Sequence, residues 1–145
     1  MAHSVDTIIV GGGQAGLALA YHLSHLGREC LVLEQAAAAG NAWRNDRWDS
    51  FHLVTPNWSF QLPGAEYDGP EPDGFMPRDE VVTQLERYVD RYRLPVRYQC
   101  RVTSISPDAS GSGYDVRAED ESWRGANVAI ATGLFQRPRV PAMAT

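Results

Sequence analysis

Apolar residues fall into three patterns along this chain. Ile8-Ile9-Val10 and Cys30-Leu31-Val32-Leu33 are short continuous apolar runs, the pattern of parallel strands covered on both faces. Between them, from Gln14 to Leu26, the small residues Ala15, Gly16, Ala18 and Ala20 accompany Leu19, Leu23 and Leu26 at helical spacing, and Gly27 stands where a helix would stop. The stretch Thr7 to Glu34 is therefore predicted as a strand, a glycine-rich turn, a helix and a second, parallel strand. A second helix is predicted from Arg78 to Tyr92. Val81, Leu85, Tyr88, Val89 and Tyr92 share one face, Glu86, Arg87, Asp90 and Arg91 the solvated one, and Asp79 is a cap or first-turn acid after Pro77. Leu94-Pro95 ends it, and Val96-Arg97-Tyr98 opens a strand. Tyr114 to Glu119 alternates, as a half-exposed antiparallel strand does. Val128-Ala129-Ile130-Ala131 returns to the buried parallel type and ends in Thr132-Gly133.

Residues 35–77 fit none of these patterns. Prolines 56, 63, 70, 72 and 77 break the stretch, and Trp43, Trp48, Phe51, Trp58, Phe60, Tyr67 and Phe75 run through it. A connection this long inside a domain is functional or disordered. Its aromatics supply apolar area worth burying, which argues for order. The expectation is an ordered excursion lying over a ligand.

The first turn carries the chemistry. Gly11, Gly13 and Gly16 have the G-x-G-x-x-G spacing, after a strand and at the start of a helix. Gly11 makes the tight turn, Gly13 lets the backbone approach a pyrophosphate, and Gly16 lets helix and strand pack closely. Gln14 and Ala15 bring free N–H groups and the positive end of the helix dipole to the phosphates. Glu34, about twenty residues on, ends the second strand where a carboxylate accepts hydrogen bonds from ribose hydroxyls. That acid disfavours a ribose 2′-phosphate. These residues alone suit NAD and FAD equally. The turn at Thr132-Gly133 lies at the same carboxyl edge of the sheet, so both glycine turns are expected to face one crevice.

Composition narrows the classes further. The chain has 145 residues, 43% hydrophobic and 21% charged, which suits one ordinary globular domain. A net charge of −5 supplies no basic field for nucleic acid. Cys30 and Cys100 give neither a disulfide framework nor metal-ligand spacing. No metal site is expected, and the histidines form no catalytic constellation. There is no secretory signal pattern, and no apolar run approaches the ~18 residues needed to span a bilayer. A cytoplasmic location follows as the expectation.

Taken together, the strand–GGGQAG–helix–strand–Glu34 unit, Gly40 to Arg44 (Gly-x-x-Trp-Arg), Thr55-Pro56 with Leu62-Pro63-Gly64, and Ala131-Thr132-Gly133 with Pro138-Arg139-Val140-Pro141 resemble the flavin-containing monooxygenases and related bacterial flavoproteins with two dinucleotide-binding domains. The resemblance covers essentially the whole chain. It implies an α/β, Rossmann-like parallel sheet with an inserted antiparallel β-meander. It implies that Gly11, Gly13, Gln14, Ala15 and Gly16 hold FAD and that Glu34 holds the adenosine ribose. Gln35, Trp43 and Arg44 would lie near the ribityl chain and flavin, the main chain at Val102 near the adenine, and Ala131, Thr132 and Gly133 beside the cofactor. The implied reaction is reduction of FAD by NADPH, then oxygenation of a small-molecule substrate by O2 through a flavin C4a-(hydro)peroxide. The alternatives are an NAD-binding dehydrogenase or sensor module, and an inactive fragment.

The chain also departs from that family. It has no second glycine motif, and no asparagine stands at Val54, so no catalytic residue is carried over. The expectation is one FAD-binding domain over 1–145, with the excursion at 35–77, the meander at 99–125 and the NADPH domain absent. On that expectation the chain is a truncated product, inactive alone, with NADPH bound only in the parent enzyme.

Overall fold

A computed structural model describes residues 3–134 and 139–144; Pro138 of the family-like segment lies outside the described residues. Six strands form one sheet: β1 (His3–Val10), β2 (Cys30–Leu33), β3 (Val96–Arg97), β4 (Val102–Pro107), β5 (Tyr114–Ala118) and β6 (Ser122–Ile130). Their order is β3-β2-β1-β6-β5-β4. The β3-β2-β1-β6 half is parallel, and β6-β5-β4 is an antiparallel meander. The fold is α/β and Rossmann-like.

Helix α1 (Gln14–His25) follows the glycine turn and α3 (Arg78–Tyr92) precedes β3. Both match the periodicity of their sequences to within a residue. Gly27 closes α1: its own N–H donates to Ser24 O at 3.1 Å and that of Arg28 to Leu23 O at 2.9 Å, which satisfies carbonyls that a helix end leaves unpaired. Alternate residues of the central strands serve two cores. Ile9 and Val32 pack with Leu17 and Ala20 of α1 and Val81, Leu85 and Tyr88 of α3. Ile8, Val10 and Leu33 pack on the other face with Val116 and Trp123, so the meander covers what the helices do not.

Two strands differ from expectation. β1 starts at His3, well before the apolar run, because its polar first half pairs with Trp123, Arg124 and Gly125 of β6. β6 is a single strand serving both the meander and the parallel sheet, and its end is open rather than buried: Ile130 is 72% exposed.

The excursion is ordered. It contains one helical turn, α2 (Asn41–Arg44), and a 3-10 turn at Asn57–Ser59. The buried Asn57 organises it. Its Nδ2 donates to Glu71 O at 2.9 Å and its Oδ1 accepts the Met76 N–H at 2.6 Å. Leu62 to Ala65 make a tight turn closed by Ala65 N–H to Leu62 O at 2.8 Å. Gly64 takes φ +74° there, the value that a type II turn, with Pro63 second, requires of its third residue. Tyr88 Oη donates to Pro63 O at 2.8 Å and the Tyr92 hydroxyl to Gly64 O, fixing the turn to α3.

Candidate functional site

The carboxyl edge of β1 and β2 opens into a cleft of about 560 Å³, within the ~300–1,000 Å³ usual for small-molecule and cofactor sites. The glycine loop forms its floor. Gly11 donates its N–H to Leu33 O at 2.9 Å and has φ +109°, a conformation in which L side chains are strained. A Cβ there would also overlap Ala131 O and come within 2.8 Å of its carbonyl carbon. A Cβ on Gly16 would overlap Gly11 O and lie 3.1 Å from Gly11 C. Packing within the chain therefore demands glycine at both positions.

Gly13 is different. It is the residue that caps α1, with φ −81° and ψ −173°, which any residue adopts. A Cβ on it would meet nothing within 4 Å. Nothing among the described residues requires glycine at this position, and the space in front of it is open. The N–H groups of Gln14 and Ala15 open into the same space, since the first helical bond back to the loop is Leu17 N–H to Gly13 O at 3.0 Å. No acid occupies the first turn of α1 to compete with an anion.

Glu34 stands at the rim with its carboxylate fixed. Oε2 accepts the Gly12 N–H at 2.7 Å and Oε1 the Ala36 N–H at 2.8 Å. An ionised carboxylate has about four acceptor positions, so two such bonds leave capacity for hydroxyl donors. Residues 99–102 run beside Glu34: Gln99 N–H donates to Ala36 O at 2.8 Å and Cys100 N–H to Glu34 O at 2.9 Å. That places Arg101 and Val102 on the cleft wall. Opposite, Ala131 N–H donates to Val10 O at 2.8 Å, so Ala131, Thr132 and Gly133 close the third side.

Of the residues singled out in the sequence, Gly11, Gly13, Gln14, Ala15, Glu34, Gln35, Trp43, Val102, Ala131, Thr132 and Gly133 line this one cleft. Gly16 lies beneath it, buried in the helix–strand contact. Arg44 turns away and pairs with Glu86 of α3, a residue the sequence pattern left as plain solvated surface. The sequence reading missed Gly12, Asp46, Arg47, Cys100 and Arg101, which also line the cleft. Arg47 lies in the bend after α2, and it is the turn of the chain there that brings it beside the Trp43 ring. No helical spacing in the sequence signals this, because the bend depends on contacts with α3.

Burial pushes the Cys100 thiol up, the charge of Glu121 adds to this, and Arg97 offsets part of it. A protonated thiol is a poor nucleophile. Cys30 is also raised, mainly by burial. Both cysteines are free and buried, so among the described residues there is no redox disulfide. The cleft thus presents backbone N–H donors at one end and an anchored carboxylate at the rim. No helix among the described residues is long and apolar enough to cross a membrane.

Comparison with known proteins bears on the fold and the family. A flavin-containing monooxygenase from Stenotrophomonas maltophilia has a solved structure that matches with a TM-score of 0.87 and 33% identity, over 96% of this chain and 41% of that one. The oxidoreductase CzcO-like of Geobacillus kaustophilus is 33% identical over 144 residues, 99% of this chain and 40% of that protein. The probable indole-3-pyruvate monooxygenase YUCCA4 of Arabidopsis thaliana is 28% identical over 135 residues, 92% of this chain and 32% of that protein. The chain thus spans about 40% of the length of the first two. The family model for pyridine nucleotide-disulphide oxidoreductases matches residues 8–145, from the first core residue of β1 through the glycine loop, Glu34 and the end of β6, and it is to this family that the chain belongs.

Proposed function

We propose that this chain is the FAD-holding part of an NADPH-dependent flavoprotein oxidoreductase whose reaction is oxygenation of a small molecule. Gly13 is the observation that carries the reading: a glycine that its own fold does not need, at the mouth of a cleft, before a run of free helix N–H groups. In this reading Gln14 and Ala15 N–H hold the pyrophosphate and Glu34 takes the adenosine ribose through its remaining lone pairs. The main chain at Val102 borders the adenine. Gln35 and Trp43 face the ribityl chain and ring, with Ala131, Thr132 and Gly133 beside them. FAD, when bound, supplies the electron storage and O2 chemistry. The protein's share is placement and exclusion of water, for which the aromatic excursion is suited. Residues 1–145 then act as one FAD-binding domain, with 35–77 as its cover and 99–125 as an inserted meander. The named monooxygenase relatives favour oxygenation over other flavin chemistry. The reading gives none of these residues to NADPH, which belongs to the parent enzyme.

Titration of the chain with FAD, followed by flavin fluorescence, tests this. The expected result is saturable binding in preference to NAD, abolished by Gly13→Val with solubility retained. NAD binding in preference to FAD, or flavin retained by Gly13→Val, would overturn the assignment.

A further inference from the structure

Arg47 is the arginine of the excursion that the fold leaves without an acid. Arg44 pairs with Glu86, and Arg78 with Asp49 and Asp79. No carboxylate among the described residues lies within ion-pair distance of Arg47, although its neighbour Asp46 also lines the cleft. Its guanidinium is nonetheless held in place. Cζ lies 5.6 Å from the Trp43 ring centroid and 5.5 Å from that of Phe51, and one N–H donates to Asp46 O at 3.1 Å. Its backbone is pinned as well, since Arg78 Nη1 donates to Arg47 O at 2.8 Å.

An arginine stacked on rings keeps its edge N–H groups available for planar anions. With five donors and one in use, Arg47 has most of its capacity left. Rings and backbone have already restricted the side chain, so little further ordering is needed on binding. The cleft also contains the carboxylates of Glu34 and Asp46. A pyrophosphate entering beside them brings two further negative charges, which a cation in the same cleft offsets.

We propose that Arg47 is the cation that pairs with the pyrophosphate of the bound dinucleotide, and so selects for phosphate-bearing ligands. This rests on the FAD reading of the cleft. The Trp43 and Phe51 rings hold the guanidinium in position, and the charge does the recognising.

The test measures FAD and ADP dissociation constants for the wild type, Arg47→Gln and Arg47→Lys at low and high sodium chloride, with thermal unfolding as a folding control. Arg47→Gln is expected to weaken both ligands roughly tenfold to a hundredfold, the range of a hydrogen bond to a charged group. It should also flatten the salt dependence, with the melting temperature unchanged. Arg47→Lys keeps the charge and is expected to keep most of the salt dependence, with a smaller loss. Wild-type affinity in Arg47→Gln would overturn the proposal. So would equal losses in both variants with an unaltered salt response, which would reduce Arg47 to ring packing. A loss confined to FAD and absent for ADP would overturn the assignment to phosphate. A wild-type chain that takes up neither ligand would instead sink the FAD reading, and this proposal with it.

Discussion

Gly13 and Gly16 are three positions apart and should fail in opposite ways when changed to alanine. In Gly16→Ala the new methyl meets Gly11 O and C, which are main-chain atoms. Neither can rotate aside. Gly11 is itself pressed against the end of β6, where a carbon beyond its Cα would lie 2.8 Å from Ala131 C and 3.1 Å from Thr132 N. Alanine gains about 1 kcal/mol of helix propensity over glycine, and overpacking costs about 1–3 kcal/mol or more. With rigid backbone on both sides, the upper end of that cost applies. The expected net loss is about 2 kcal/mol, which lowers the melting temperature by roughly 4–8 °C for a domain of this size. In Gly13→Ala the methyl meets nothing, and the backbone is already extended. Loss of a glycine cap costs a few tenths of a kcal/mol up to ~1. Reduced freedom of the unfolded chain returns about 0.4–1 kcal/mol. Stability should hold within about 0.5 kcal/mol while FAD affinity falls at least about tenfold. Urea unfolding followed by tryptophan fluorescence, beside FAD titration, separates the two quantities. A Gly13→Ala protein that is destabilised like Gly16→Ala, or that binds FAD unchanged, refutes the division between the two glycines.

Two further outcomes are expected. Asn57→Ala should lower stability by about 1–3 kcal/mol, because the buried Met76 N–H loses its acceptor and Glu71 O its donor; a urea midpoint within error of wild type would contradict this. Stability should also fall on the alkaline side. Burial raises the Cys30 and Cys100 thiols above their ordinary 9.0, and it raises the Tyr88 and Tyr98 phenols above their ordinary 10.0, with Tyr21 and Tyr92 adding to Tyr88 and Asp90, Glu34 and Glu86 to Tyr98. The folded chain then holds protons that the unfolded chain releases. This contribution is whole below about pH 9 and is lost as pH climbs through the folded values. Urea midpoints measured from pH 7 to 11 should stay level and then decline, whereas a rise above pH 9 would contradict the sign.

Most regular elements were legible because their codes are local. The helix Arg78–Tyr92 has a proline before it, one apolar and one charged face within it and Leu94-Pro95 after it, and its ends fall where the sequence puts them. The Cys30–Leu33 strand and the glycine loop read equally well. What escaped depends on partners distant in sequence. His3 to Asp6 form a strand because β6 runs alongside, and nothing in their own pattern demands it. Asn57 is one polar residue among many in a proline-broken stretch, and its role appears only when Glu71 and Met76 meet around it. The site was legible in its glycines and Glu34, whose spacing is set by the βαβ unit. It was least legible in the excursion, where the sequence pattern points to Arg44 while the fold puts Arg47 in the cleft wall and pairs Arg44 with Glu86.

That assignment traces to Arg78, the first residue of α3. Its side chain is only 17% exposed, unusual for an arginine at a helix start. Its ion pair with Asp49, at 3.0 Å, faces a fully exposed carboxylate and adds little in solvent. Its bonds to main-chain carbonyls matter more: Arg47 O at 2.8 Å, with a longer contact to Arg44 O at 3.4 Å. These hold the end of α2 and the turn after it against α3, and Arg44 reinforces the same contact through Glu86 on α3. The chain pairing at His52–Pro77 and the Leu53 N–H to Met76 O bond at 3.0 Å close the excursion at the same end. The aromatic wall bearing Trp43 and Arg47 is thus fastened to α3, whereas the glycine loop and Glu34 belong to the sheet. The cleft is the gap between these two supports, so the seating of α3 against the sheet sets its width, and a change in the α3 core at Val81, which is buried and does not line the cleft, is expected to act on the site without touching a ligand.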